Sequence, residues 1–187
     1  QDTIQSAMIE AGENILPLLD VKATNKKLII TNNSGCVWLR KPGRKITLYL
    51  HVKNLSTIVY NGLGTITCTN RLITDSLNIS SDEGAGNVEL NIDARRIISN
   101  ITKENASFTF KGKCDYMYAF CNVLGQLNME QLQIRHLYLN HSSVHDIAAH
   151  VTERLEGILY HTGNARIKGN PSFVTVETRS TGRVQFF

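Results

Sequence analysis

The chain has 187 residues, 42% of them hydrophobic and 19% charged, enough apolar matter for a core and too much for a wholly disordered chain. Twenty Lys and Arg against sixteen Asp and Glu leave a net charge of +4, scattered with no long basic run, so no nucleic-acid surface is implied. No apolar run approaches the roughly 18 residues that a membrane helix needs. The chain starts at Gln1 with no charged-then-apolar leader after it, so any signal segment is expected to be gone already.

In chain order, the first fifty-odd residues are irregular. Leu28-Ile29-Ile30 and Ile46-Thr47-Leu48-Tyr49-Leu50 read as strands, with turn chemistry at Asn32-Asn33-Ser34-Gly35 and Lys41-Pro42-Gly43. Ser6 to Leu19 also admits a helical reading. From there on, short corners recur about every twenty residues. They are 61–64, 83–86, 103–106, 122–125, 142–145, 162–165 and 179–182. One spacer residue after each comes an apolar anchor: Ile66, Val88, Phe108, Leu127, Ile147, Ile167 and Val184. Two positions further lie Cys68, Leu90, Phe110, Met129, Ala149, Gly169 and Phe186.

Apolar residues at two-residue spacing mean strands with one inward face. The corners are small because Cβ atoms crowd there. One such unit cannot bury its own apolar face, whereas stacked units bury each other's. The stretch from Ile147 to Ile158 also fits an amphipathic helix, but a seven-unit column pattern outweighs one local window. The expectation is an all-β β-solenoid over a single domain, 1–187. Residues 1–55 supply irregular N-terminal capping strands and 56–187 about seven rungs. Cys36, Cys68, Cys114 and Cys121 form no C-x-x-C pair and read as free thiols, three of them in the repeat region.

Thr162-Gly163-Asn164-Ala165-Arg166-Ile167-Lys168-Gly169-Asn170-Pro171, followed by Arg179-Ser180-Thr181-Gly182-Arg183-Val184, resembles the C-terminal signature of the head GIN domain family. Asn61-Gly62-Leu63-Gly64 and Glu83-Gly84-Ala85-Gly86 are similar to its small corners. Asn14-Ile15-Leu16-Pro17, Leu28-Ile29-Ile30 and Val52-Lys53-Asn54-Leu55 are similar to its N-terminal half. The resemblance implies a right-handed, single-stranded β-helix. It also implies export to the periplasm, outer membrane or cell surface, often as a lipoprotein, frequently in Bacteroidetes. It implies no established reaction; adhesin is the family's label. The corners at 103–106 and 142–145 depart from the small-residue pattern.

Three sets of residues carry candidate chemistry. Cys121, His141 and His161 share a repeat position, so even spacing stacks them on successive rungs with zinc- or copper-type ligands. A straight stack fits a tetrahedral site poorly, and a structural interior column is the expected role, with no metal and no cofactor. Asp82, Glu83 and Glu104 form an acidic patch on adjacent rungs, a binding candidate; paired carboxylates of this kind also serve polysaccharide cleavage. Trp38, the lone tryptophan, is a candidate contact for sugar or partner. There is no G-x-S-x-G elbow, no P-loop and no G-x-G-x-x-G. The expected function is a non-enzymatic, exported, adhesin-like module for glycan or cell-envelope protein, with self-association open. The alternative is a polysaccharide-active enzyme built on Asp82 and Glu104.

Overall fold

The computed structural model describes residues 4–24, 26–33, 46–103, 105–122 and 124–187. The chain forms two compact units, 2–53 and 54–187. The break falls close to where the regular repeat begins.

The first unit holds two small antiparallel ribbons. In one, β1 (Ser6–Glu10) pairs with β4 (Thr47–His51); in the other, β2 (Leu19–Thr24) pairs with β3 (Lys27–Asn32). The segment with the helical alternative resolves into β1 and a single 3-10 turn at Leu16–Leu18. No described residue of this unit is fully buried. The turn segments expected within 34–45 lie outside the described residues.

The second unit is a β-solenoid of about six turns, about 20 residues apart. Seven corners bound six intervals, which is why about seven expected rungs become about six turns. Its strands are β5 (Thr57–Val59), β6 (Thr65–Thr67), β7 (Leu72–Ser81), β8 (Asn87–Ile101), β9 (Ser107–Cys121), β10 (Gln126–His141), β11 (Ile147–Leu159), β12 (Ala165–Lys168), β13 (Phe173–Thr178) and β14 (Val184–Phe186). All pair in parallel, each with the strands one turn before and after. The Ile147 segment is therefore a strand, as the column pattern requires.

Inward residues form continuous columns. Val88, Phe108 and Leu127 lie in register, as do Leu77, Ile97, Met117, Leu137 and Leu155, each almost or wholly solvent-free. In β8 the inward positions are even-numbered up to Ile92 and odd-numbered from Ile97. β7, β9 and β10 change phase likewise ahead of Leu77, Met117 and Leu137, and β11 instead leaves three outward or half-buried residues between Val151 and Leu155; this second bend gives the turns two outer faces. Gly112 lies just ahead of this bend, in register with Ile92, with φ 110°, and a Cβ there would lie 2.1 Å from the carbonyl oxygen of Ile92. Only glycine fits.

The corners work as the repeat suggests. Gly84 and Gly86 leave no room for a Cβ against Tyr60, whose hydroxyl donates to the Gly64 carbonyl. The divergent corners find substitutes. Ala106 is fully enclosed, and the buried Ser143 hydroxyl donates to the Gly125 carbonyl at 2.8 Å while accepting from the His145 amide.

One register expectation is corrected. Ile147 pairs with Ala165, and Ala149 with Ile167, so the Ile147 and Ile167 anchors are not column neighbours. Likewise Leu139 pairs with Gly157, and Leu159 with His141. This turn is two residues shorter than its predecessors. The shortening is spread over two register shifts, with Met129 opposite Ala149, Ile134 opposite Val151 and His136 opposite Arg154, and its net value of two returns the side chains beyond Arg154 to their own faces.

Candidate binding face

The second outer face is built by the outward residues of the later half of each long strand. Ser76, Arg96, Tyr116, His136, Arg154 and Phe173 lie in register as one column across six strands. Within it the Arg96 guanidinium lies 5.7 Å from the Tyr116 ring centroid, and the Arg154 guanidinium 4.0 Å from that of Phe173. The next column runs Asn78, Ile98, Tyr118, Tyr138, Glu156 and Thr175. Tyr118 and Tyr138 stack with centroids 5.8 Å apart and planes 11° from parallel. In-register pairing brings identical rings into this contact, since parallel strands repeat at roughly 4.8 Å. Phe120 stands between Asn100 and Asn140 in the third column.

A ladder of alternating charge borders the face at the second bend. Arg95 donates to Asp75 from Nε and Nη2 at 2.7 and 2.9 Å. Arg135 donates to Glu153 at 2.8 and 3.2 Å, and reaches Asp115 at 3.5 Å. The arginine hydrogen bonds hold the carboxyls of Asp75 and Glu153 below their usual range, and Arg154 does the same to Glu156. A groove of about 640 Å³ runs along this border, with Arg95, Arg96, Asp115, Tyr116, Arg135 and His136 among its walls.

The first outer face, built by the earlier half of the same strands, has another chemistry. Its columns read Asn87, Ser107, Gln126 and Glu89, Thr109, Asn128, Ala148, Arg166, with no aromatic side chain.

The residues singled out from sequence fall elsewhere. Asp82 sits at a corner, accepting from the Thr102 hydroxyl at 2.7 Å and the Lys103 ammonium at 2.9 Å. These two bonds, Lys103 first, lower its pKa and make it a clamp between rungs. The backbone amides of Asp82 and Glu83 donate to the side-chain oxygen of Asn61 at 3.2 and 3.3 Å. Glu104 and Trp38 lie outside the described residues. Cys121 and His141 are register neighbours, but the residue after His141 in that column is Leu159, so the expected Cys121–His141–His161 stack is broken by the short turn. Burial pushes the Cys121 thiol up to about 12 and the His141 imidazole down to about 4. A neutral thiol beside a neutral imidazole is a packed interior pair, and among the described residues no three metal-ligating groups converge.

Sequence reasoning missed Tyr116, Tyr118, Tyr138 and Arg96. The signal is present in that Tyr118 and Tyr138 stand one repeat apart, at outward positions that the apolar anchors do not mark.

Fold and face together define a β-solenoid that presents an extended, side-chain-rich surface. The family model described as "Putative auto-transporter adhesin, head GIN domain" matches residues 1–171, and the chain belongs to that family. Among solved structures it is similar to a "putative adhesin" from Bacteroides fragilis, with TM-score 0.87 at 20% identity, over 98% of this chain and 83% of that one. At that identity the likeness establishes the fold. No curated protein matches the chain significantly. Among the described residues, no helix is long and apolar enough to cross a membrane.

Proposed function

We propose that this chain is an exported, non-enzymatic module that binds glycan or envelope protein in an adhesin-like way, with the second outer face as its contact surface. The observation that carries the reading is the segregation of aromatics. Tyr116, Tyr118, Phe120, Tyr138 and Phe173 all point outward from one face. Along β8 to β12 the first outer face carries none among the described residues, and an aromatic reaches it at the chain's end, where Phe187 lies 5.1 Å from the Arg166 guanidinium. Outward aromatic rings do not contribute to the interior columns, and interspersed with arginine they resemble the anchors of recognition surfaces.

The carboxylates favour binding over hydrolysis. Glycosidic cleavage needs one carboxyl protonated near neutral pH. Asp75, Asp82, Glu153 and Glu156 are instead hydrogen-bonded to basic groups that favour their ionised forms. Membership of the family supports export, with periplasm, outer membrane or cell surface as the compartment.

The test is a glycan array and intact-cell binding assay on the purified chain, with polysaccharide depolymerisation followed in parallel. Saturable binding without product is expected, reduced about tenfold or more by the double variant Tyr118→Ala/Tyr138→Ala. Release of product, or binding that this variant leaves untouched, would overturn the reading.

A further inference from the structure

The border groove has a cation with no carboxylate of its own. Arg95 is engaged by Asp75, and Arg135 by Glu153 and Asp115. Arg96 projects into the same groove and, among the described residues, has the Tyr116 ring as its contact and no ion pair. The carboxylates of the ladder are taken up elsewhere: Asp75 by Arg95, Asp115 by Arg135, and Glu153 by Arg135 with His136 at 3.3 Å, which leaves the Arg96 charge without an anion of its own among the described residues. Tyr116 is 37% exposed, leaving much of the ring open beside the guanidinium.

We propose that this groove takes a carboxylate-bearing sugar of the uronic or sialic acid class. The sugar carboxylate pairs with Arg96, and an apolar face of the pyranose ring lies against Tyr116. This assignment rests on the reading of the second outer face as a binding surface and names its ligand class. Arginine suits the role because its planar fork meets both carboxylate oxygens at once. The hydroxyls of the same sugar find fixed partners in the Asp115 carboxylate, the Ser76 hydroxyl and the His136 imidazole along the groove wall. Asp115 is held by Arg135 at 3.5 Å and His136 lies 3.3 Å from Glu153, so these two partners need little ordering on binding.

Two other anions fit less well. An acidic peptide is best held by adding a strand to a free sheet edge. The floor of this groove comes from β7 to β10, each already paired with parallel neighbours, so no free backbone edge is offered. A nucleic-acid backbone would meet Asp75, Asp115 and Glu153 at every second step of the ladder, and like charge repels it.

The experiment is titration calorimetry of the whole chain with trimers of glucuronic acid and of N-acetylneuraminic acid, with a glucose trimer as the neutral counterpart. Oligoglutamate is the peptide control. An acidic trimer is expected to bind at least about tenfold more tightly than the glucose trimer, and more weakly as salt rises. Arg96→Gln should remove that preference, Arg96→Lys should restore part of it, and Tyr116→Ala should weaken acidic and neutral sugars alike. Lys168→Gln, on the first outer face, should change nothing. An unaltered circular dichroism spectrum and melting curve for Arg96→Gln would exclude a folding defect, as expected at an exposed position. Equal binding of neutral and acidic sugars, insensitivity to Arg96→Gln, or tighter binding of oligoglutamate would overturn the assignment. Failure of every sugar here, with cell binding still sensitive to Tyr118→Ala/Tyr138→Ala, would refute the sugar and leave the wider reading standing. Loss of both would refute both.

Discussion

The two outer faces of the solenoid are made by the same strands, yet from β8 to β10 one carries mainly Asn, Ser, Thr and Gln where the other carries Tyr, Phe and Arg. Outward positions are free of the packing demands that fix Phe108 or Ile97. A polar column such as Asn87, Ser107, Gln126 satisfies a parallel sheet, so folding alone does not ask for the Arg96, Tyr116, His136 column beside it. The contrast separates what the fold needs from what it carries.

That separation can be probed from the inside outward. The largest expected effect is at a position serving both faces: Phe108→Ala, in a wholly buried column, should cost about 3–5 kcal/mol of unfolding free energy in denaturant titration. An effect below about 1 kcal/mol would mean that the column is not the packed spine described above.

His141 comes next. Burial lowers its folded-state pKa from 6.5 to about 4, so folded and unfolded chains bind the same proton differently between those values. Above pH 6.5 both forms are neutral and stability is unaffected by this group. As pH falls from 6.5 towards 4 only the unfolded chain takes up the proton, and stability drops by about 3 kcal/mol across that window. Thermal melts at stepped pH should show the decline, and His141→Leu should flatten it. The paired carboxylates lose their contribution in a separate window, as pH falls through their own lowered values.

On the outer faces the prediction is one of binding. Tyr118→Ala/Tyr138→Ala should abolish most binding while the chain stays folded at room temperature, whereas Thr109→Ala/Asn128→Ala should leave both binding and fold intact. Equal losses from the two variants would erase the distinction between faces. The smallest effect belongs to Asp82→Asn. Its partners are at an exposed corner, so the melting temperature should scarcely move and ligand binding should be unchanged. A marked loss of binding would restore the acidic corner as a contact site.

The solenoid was legible because its physics repeats. Small corners and anchors such as Val88, Phe108 and Leu127 recur at one period, and a periodic signal outweighs the local helical look of 147–158. Register was less legible. The shortening that places Leu159, and not His161, over His141 amounts to two residues in net, so beyond Arg154 the alternation resumes on the same face and the spacing of Ile147 and Ile167 does not flag it. The second bend was invisible for a related reason: it is made by a change of phase around Asp93 to Arg96, and in that turn no glycine marks it. Without that bend the two outer faces merge into one, and the tyrosines scatter among polar residues. The site followed from the bend, so it was lost with it.

The most direct test of the account is a side-by-side glycan-array measurement of the parent chain and the two face variants at equal concentration. Thr109→Ala/Asn128→Ala should reproduce the parent's pattern while Tyr118→Ala/Tyr138→Ala loses it. Retention of the pattern by the tyrosine variant, or its loss in the polar-face variant, would contradict the claim that the aromatic and arginine face is where this protein meets its ligand.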